Sequence, residues 1–137
     1  MPITILSITA DVCLPLRQKE LWPDRPLDFL RMEGDEHAQH YGLYFNDTLI
    51  SCLSVFPLDN TARQIRKFAT DAAFQRQGYG SALLKQVLEQ LHAEGINNIM
   101  LNARLTATEF YARFGFQVAG VVCHKEGVAY VKMMKKG

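Results

Sequence analysis

The chain has 137 residues, within the ~100–200 residues usual for one domain, so we expect residues 1–137 to form a single domain. Hydrophobic residues make up 48% and charged residues 21% of the chain, a balance that supports a packed core and excludes a mainly disordered protein. The formal net charge of +1 excludes a global field that would hold nucleic acid or an anionic membrane, so we expect neither as a partner.

Nothing near the N-terminus resembles a targeting segment. No basic stretch precedes its apolar residues, no small-residue cleavage site follows them, and no apolar run approaches the ~20 residues of a membrane span. The cysteines, Cys13, Cys52 and Cys123, are widely spaced and lack the C-x-x-C pairing of many zinc sites. We therefore expect a cytoplasmic protein with reduced thiols.

The first half of the chain predicts a strand, a helix and then a hairpin. Residues 3–8 are rich in β-branched side chains and predict a strand, after which Thr9 or Asp11 caps a helix that ends near Glu20. We expect Pro15 in this helix only if it lies in the first turn, because a later proline removes a helical hydrogen bond.

Turn-forming residues separate that helix from the hairpin. Prolines and a glycine in residues 22–35 predict a loop with one short helical turn, where we expect the substrate side of a site. The apolar, β-prone runs 41–45 and 48–56 flank the dipeptide Asn46-Asp47, which predicts a hairpin.

The second half contains a strongly periodic helix between strands. Residues 64–70 predict a strand that feeds the polar segment 71–77, and apolar residues at i, i+4 and i+8 from Leu83 then predict a helix that ends at Gly95. Further along, residues 98–103 predict a strand, residues 106–114 a short helix, and residues 117–123 with 128–134 a closing hairpin. The resulting order, β α β β β α β α β β, indicates an α+β fold with a mixed sheet flanked by helices.

The turn after the fourth strand contains glycines one residue apart, Gly78 and Gly80. Glycines at a helix N-terminus leave backbone N–H groups uncovered, and both those donors and the helix dipole favour an anion such as a pyrophosphate. The chain has no Gly-Lys pair, as a Walker loop requires, and has Leu83 where a Rossmann fingerprint needs a third glycine. The alternative is that the glycines only permit a tight strand-to-helix turn.

The segment Gln75-Arg76-Gln77-Gly78-Tyr79-Gly80, a Q-x-x-G-x-G pattern, resembles the acyl-CoA pyrophosphate loop of the GNAT superfamily of N-acetyltransferases. Residues 101–104 and 110–116 are similar to the fifth strand of that family and the helix after it, which ends in a Gly-Phe pair. The element order also matches, so the resemblance covers nearly the whole chain. It implies a three-layer arrangement around a mixed, mostly antiparallel sheet of about seven strands, with a splay between the fourth and fifth strands.

The resemblance also implies a binding site for acetyl-CoA, and no metal. The pantetheine would lie in the splay, bonded to backbone groups near Phe68, Ala69 and Thr70. Backbone amides of the glycine turn would hold the pyrophosphate, and Asn102 would contact the cofactor from the next strand. The implied turn residues are Gln75, Arg76, Gln77, Gly78, Tyr79, Gly80 and Ser81.

Tyr111 is the catalytic residue that the resemblance implies, as the general acid that protonates the leaving thiolate. The alternative is an aromatic that only fills the core. Many relatives place a carboxylate base on the fourth strand, where this chain has Arg66 and Lys67. The base is therefore open among His40, His124, Glu126 and a water chain, the three side chains being equally open to structural roles.

The function that follows is transfer of an acetyl group from acetyl-CoA to a primary amine, by direct attack in a ternary complex. The alternative is a non-catalytic acyl-CoA-binding sensor or interaction module of the same fold. The sequence leaves the acceptor open among small-molecule and peptide amines, and it is compatible with a homodimer. We interpret His37-x-x-His40 and its acidic neighbours as a solvated loop rather than a metal site.

Overall fold

The computed structural model describes residues 2–136, which form one eight-stranded mixed sheet with helices on both faces. The strands are β1 (Ile3–Ile8), β2 (Gln39–Phe45), β3 (Thr48–Pro57), β4 (Ala62–Thr70), β5 (Asn98–Arg104), β6 (Gln117–Val118), β7 (Cys123–Lys125) and β8 (Val128–Lys136). The α-helices are α1 (Ala10–Leu21), α2 (Tyr79–Ala93) and α3 (Thr108–Ala112), and short 3-10 turns lie at Leu27–Leu30, Asp35–His37, Ala72–Phe74 and Leu105–Ala107.

The sheet order is β1-β2-β3-β4-β5-β8-β6, with β7 also paired to β8. Neighbouring strands are antiparallel except β4 and β5, which are joined through α2 and run parallel. Their pairing extends only from Ala62 opposite Asn98 to Ile65 opposite Leu101. Beyond that point the two strands separate, which confirms the predicted splay between the fourth and fifth strands.

A β-bulge in β4 lies where the splay begins. Ser54 of β3 pairs with Arg66, whereas Cys52, two residues earlier, pairs with Ala69, so β4 carries one extra residue in between. Lys67 in this interval has a φ of 55°, in the left-handed region that non-glycine residues rarely adopt. An extra residue bends a strand and increases its local twist, which carries the end of β4 away from β5.

Side chains that alternate along the strands pack into two apolar layers, one on each face of the sheet. Leu53 packs in the core beneath α2, which buries its stripe of Leu83, Leu84, Val87, Leu88 and Leu91. The adjacent Cys52 faces the opposite side of the sheet and packs with Ala69 against Cys13 and Leu16 of α1. The helices therefore cover both faces, which confirms the three-layer arrangement.

Two details of the prediction are wrong. The segment 117–123 is not one strand, because after the Ala119 amide bonds the Lys132 carbonyl at 2.9 Å the chain leaves the sheet and returns only at β7, which gives an eighth strand. Pro15 does not lie in the first turn of α1, since Thr9 caps a helix that begins at Ala10. Pro15 is on the exposed side, where water can satisfy the Asp11 carbonyl that the missing N–H leaves unbonded.

Candidate functional site

A cleft of about 750 Å³ lies at the splay. Residues 64–70 of β4 form its floor with the end of β5. Its walls are the end of α1, residues 29–33 of the following loop, and the hairpin of β7 and β8. Of the residues predicted for the site, the cleft brings together Phe68, Ala69, Thr70, Gln75, Asn102 and Tyr111. The others, residues 76–81, form the turn that leads into α2.

The exposed edge of β4 is the first feature of this cleft. No β5 partner is paired with residues 66–70, so their backbone groups on that side are available to an extended ligand that adds to the sheet edge. Thr70 is fixed there by its hydroxyl, 2.9 Å from the Ser51 hydroxyl, and its carbonyl accepts a 2.9 Å bond from the Gln75 amide side chain. The Gln75 side chain therefore steadies the end of β4.

The glycine turn has the backbone geometry of an anion site. Arg76 has a φ of 63° and Gly78 a φ of 87°, so the chain turns sharply before α2 begins at Tyr79. Ala82 is the residue whose N–H closes the first helical turn, at 3.0 Å from the Gly78 carbonyl. Gly78 supplies no capping side chain, so the amides of residues 79–81 lie at an uncapped helix N-terminus.

An aromatic cluster that sequence reasoning missed holds this turn against the sheet. Phe74 and Tyr79, on either side of the turn, pack with Phe45 of β2 at ring-centroid distances of 5.7 to 6.0 Å. The signal was present as aromatic residues flanking the glycines, but their partner lies some 30 residues away in the chain. The Tyr79 side chain is thus part of the packing.

Gly80 has a packing role in addition to leaving its amide uncovered. A Cβ atom at this position would lie 3.0 Å from the Thr70 hydroxyl oxygen and 3.4 Å from the Phe68 ring. The first turn of α2 therefore approaches β4 more closely than a larger residue allows. This contact places the helix N-terminus beside the exposed edge of β4.

Tyr111 lies on α3, and its side chain lines the cleft. Its ring packs against Phe110, Phe116 and Phe68, with centroid distances of 5.2, 5.9 and 6.4 Å. Burial raises the pKa of Tyr111 to about 12, against a smaller opposing effect of the Arg104 charge. The phenol is therefore protonated throughout the neutral range, as a proton or hydrogen-bond donor must be.

The base candidates fall in different places. His40 is buried outside the cleft, where its Nδ1 lies 2.6 Å from the Ser54 hydroxyl and its Nε2 lies 2.8 Å from the Asp35 carbonyl. His124 is exposed on β7 and does not line the cleft. Glu126 does line it, in an ion pair with Arg25 of the α1–β2 loop. That ion pair joins the two walls of the cleft.

A buried ionic network supports the wall formed by the α1–β2 loop. The Arg17 side chain is fully buried, and its guanidinium binds both carboxylate oxygens of Asp35 at 3.0 and 3.1 Å, the Leu30 carbonyl at 2.8 Å and the Ser54 hydroxyl at 3.0 Å. The Ser54 hydroxyl is also hydrogen-bonded to His40 Nδ1, and the other ring nitrogen of His40 donates to the Asp35 carbonyl. Sequence reasoning missed this network, which ties the loop to α1, β2 and β3.

Asp35 is kept ionised by this network. Burial alone would raise the pKa of Asp35, but hydrogen bonds from Arg17 and from the Met32 amide, together with the Arg17 charge, outweigh burial and lower it. The carboxylate therefore balances the buried guanidinium at neutral pH. The acidic loop residue interpreted as solvated is in this case a structural partner.

Besides Arg31 of the α1–β2 loop, which is ion-paired with Asp11 and Asp28, four cationic side chains line the cleft on β4, β5 and β7: Arg66, Lys67, Arg104 and Lys125. Burial, followed by the like charges of Arg66 and Lys125, lowers the pKa of Lys67 to about 8. Within residues 2–136 none of the four has a carboxylate oxygen within 4.0 Å of its nitrogen atoms. The floor of the cleft is therefore electropositive.

Two further findings apply to residues 2–136. No three His, Cys, Asp or Glu side chains there are grouped as metal ligands would be. No helix in that range combines the length and the apolar character needed to cross a membrane.

Comparison with known proteins matches this architecture. The sequence model of the acetyltransferase (GNAT) domain matches residues 27–136. The chain is 26% identical over 127 residues to the uncharacterized N-acetyltransferase YitI of Bacillus subtilis, covering 86% of this chain and 85% of that protein. Its fold is similar to that of a GNAT family acetyltransferase from Elizabethkingia anophelis with acetyl-CoA bound, with a TM-score of 0.76, 20% identity and 98% of each chain covered. The ribosomal-protein-S18-alanine N-acetyltransferase of Escherichia coli gives a TM-score of 0.80 at 19% identity, over 98% of this chain and 93% of that one.

Proposed function

The chain belongs to the GNAT acetyltransferase family and is an acyltransferase, and from this premise we propose that it moves an acetyl group from acetyl-CoA to a primary amine by direct attack in a ternary complex. The observation that carries the proposal is one arrangement: an exposed strand edge on β4, an uncapped helix N-terminus at one end of it, and a protonated phenol facing the same cleft. Together these features would bind the pantetheine, the pyrophosphate and the leaving sulfur of one acetyl-CoA molecule.

The acetyl-CoA contacts divide between strand and turn. Residues 68–70 would bond the pantetheine amides through their backbone, since the missing β5 partner leaves that edge free. The amides of residues 76–81 would hold the pyrophosphate at the start of α2, with an additional charge-assisted contact from the exposed Arg76 side chain. Asn102, exposed on β5 across the splay, would contact the acyl end of the same ligand.

Tyr111 would stabilise the leaving sulfur. Its pKa of about 12 lies well above the ~8.5 of an ordinary thiol, so complete proton transfer to a thiolate is uphill. A hydrogen bond donated to the sulfur as negative charge develops requires no complete transfer, and it is stronger in the transition state than in the thioester. We therefore assign Tyr111 the donation of that hydrogen bond, with solvent completing the protonation.

Direct attack is favoured over a cysteinyl intermediate. Cys13 and Cys52 are fully buried between α1 and the sheet, out of reach of a substrate. Cys123 lines the cleft but is exposed, and neither the adjacent His124 nor another base candidate is hydrogen-bonded to it within residues 2–136. All three are unpaired thiols, which supports a reducing compartment such as the cytoplasm.

Ligand-dependent unfolding and an acceptor screen test the proposal. Acetyl-CoA at about 100 times its dissociation constant should add about 2.7 kcal/mol to the unfolding free energy and raise Tm by roughly 9 °C. ADP, which has the pyrophosphate but no pantetheine, is the control and should raise Tm much less. Turnover is then measured over a panel of primary amines by detecting the released CoA with a thiol reagent. Equal shifts with both ligands, or none at millimolar acetyl-CoA, would contradict the proposal.

A further inference from the structure

We propose that the acceptor amine of this enzyme carries an anionic group, a carboxylate or a phosphate, that binds Arg66 and Lys67 at the bulge of β4. The inference rests on the proposed function, because it names the substrate class that the transferase accepts. It goes beyond that function by assigning the floor of the cleft to acceptor recognition.

The first argument is that Arg66 and Lys67, two cations of the cleft, have no carboxylate partner within residues 2–136. Arg66 and Lys67 are half-buried, yet no carboxylate lies within 4.0 Å of either side chain in residues 2–136. Their nearest charged neighbours include each other, Arg17 and Lys125, all of which are cations, with Asp35 already bound to Arg17. Partly desolvated like charges cost free energy unless an anion joins them.

The second argument is that the acidic residues of the cleft are engaged elsewhere or lie at its rim. Glu20 accepts the Ala72 amide at 2.8 Å, and Glu126 is ion-paired with Arg25. Glu33 is exposed in the α1–β2 loop. A cationic acceptor such as a polyamine would therefore meet the positive floor, and of these three carboxylates only the exposed Glu33 at the rim would be free to receive its second charge.

The third argument separates this cluster from the cofactor phosphates. Lys67 lies three residues before Thr70 on β4, roughly 10 Å along a strand, and the glycine turn lies farther still beyond Thr70. Arg66 also faces away from that turn, since its guanidinium lies 5.8 Å from the Phe56 ring on the α1 side of the sheet. The turn has its own cation in Arg76. The bulge therefore supplies a second anion site at the acceptor end of the cleft.

The cleft also has an apolar wall, which guides the choice of probe. Trp22 and Phe29 form an edge-to-face pair with ring centroids 6.0 Å apart, and both line the cleft with Met32. An acceptor with an apolar body, an amine and an anion matches the cleft's features. L-phenylalanine is the simplest such molecule with a carboxylate, and O-phosphoethanolamine presents the phosphate alternative.

The test compares matched acceptors that differ only in the anion. We expect kcat/KM for L-phenylalanine to exceed that for L-phenylalaninamide, or that for O-phosphoethanolamine to exceed that for ethanolamine, by roughly 10- to 100-fold, the usual effect of hydrogen bonds to a charged group. The pair that shows the larger ratio identifies the anion. Greater reactivity does not explain a preference for L-phenylalanine, because the amide's amine has the lower pKa and is the better nucleophile at neutral pH.

Substitutions of Arg66 and Lys67 test whether these side chains cause the preference for an anionic acceptor. Lys67→Gln and Arg66→Gln should each reduce the anion preference about tenfold, whereas Arg63→Gln, on the same strand but outside the cleft, should leave it unchanged. Lys67→Asn is a second variant that suits the left-handed bulge, because asparagine tolerates a positive φ. Neither Lys67 variant should lower Tm by more than a degree or two, because the ammonium has no carboxylate partner to lose within residues 2–136.

If both neutral acceptors are acetylated as well as their anionic counterparts or better, the inference is wrong, although the transferase activity is then confirmed. If no amine is acetylated, calorimetry on the CoA-loaded protein decides separately. Tighter binding of N-acetyl-L-phenylalanine than of its amide, lost in Lys67→Gln, would support the anion site and reject only the transfer reaction. Equal binding of the two would overturn the anion site as well.

Discussion

Substitution of Tyr111 by phenylalanine tests the assignment of the donor to the leaving sulfur. The ring would keep its packing against Phe68, Phe110 and Phe116, so only the hydroxyl is removed from the cleft. Acetyl-CoA affinity and Tm should therefore change little, and the loss should be confined to the chemical step.

The size of the loss follows from the raised pKa. Proton donation by a positioned acid typically contributes ~10²–10⁴ in rate. Because the phenol has a pKa of about 12, complete transfer to a thiolate of ordinary pKa ~8.5 is uphill by about 5 kcal/mol, and hydrogen bonding provides most of the assistance. We therefore expect kcat to fall about 100-fold, close to 2.7 kcal/mol of barrier, at the lower end of that range.

The assay is single-turnover CoA release by stopped flow with saturating acetyl-CoA, which separates acetyl transfer from product release. Tyr44→Phe is the matched control, since Tyr44 is a partly buried tyrosine of β2 outside the cleft. The pH profiles of wild type and Tyr111→Phe should have the same shape between about pH 6 and 10, because a phenol of pKa about 12 does not titrate there. An undiminished chemical step would reduce Tyr111 to a core aromatic.

Three further predictions concern the supporting structure. Asp35→Asn leaves the buried Arg17 guanidinium without its anion and should lower the unfolding free energy measured in urea by about 3 kcal/mol. Because the pKa of Asp35 is lowered in the fold, the extra stability of the wild type should disappear as pH falls below the ordinary range of aspartate, and the variant should show no such loss. Gly80→Ala should weaken acetyl-CoA binding, and it should gain less stability than the ~1 kcal/mol that alanine adds over glycine in a helix, because its Cβ would lie 3.0 Å from the Thr70 hydroxyl oxygen. Arg76→Gln should weaken binding alone, and the full helical gain in Gly80→Ala would contradict the close contact with β4. Cys123→Ser should keep full kcat, and abolished turnover would indicate a cysteinyl intermediate.

The sequence could predict those parts of the fold and site that depend on local patterns. The stripe that begins at Leu83 fixes which face of α2 is buried, and the glycines before it mark the strand-to-helix turn. The parallel pairing of β4 with β5 follows from the helix that connects them. These features extend over a few turns or residues, so periodicity and turn chemistry are sufficient to identify them.

The network around Arg17 could not be predicted in the same way. Arg17, Asp35, His40 and Ser54 come from a helix, a loop and two strands, and each residue type alone is more often exposed or singly bonded. A buried ion pair is recognised only when both partners are placed in three dimensions. For the same reason the sequence pattern favours a solvated loop for Asp35 and His40, although one balances the guanidinium and the other is almost fully buried.

The bulge of β4 explains how one strand serves the core and the cleft together. In a regular strand, side chains on one face are two residues apart, but here Ile65 and Phe68 both pack on the core beneath α2, three residues apart. The extra residue leaves two consecutive side chains, Arg66 and Lys67, off that core where a regular strand would leave one. It also ends the pairing with β5 and thereby opens the splay. The distortion that frees this strand edge is therefore the same one that places two cations in the cleft, so the sites that we propose for acetyl-CoA and for the acceptor's anion are linked through the backbone conformation at Lys67.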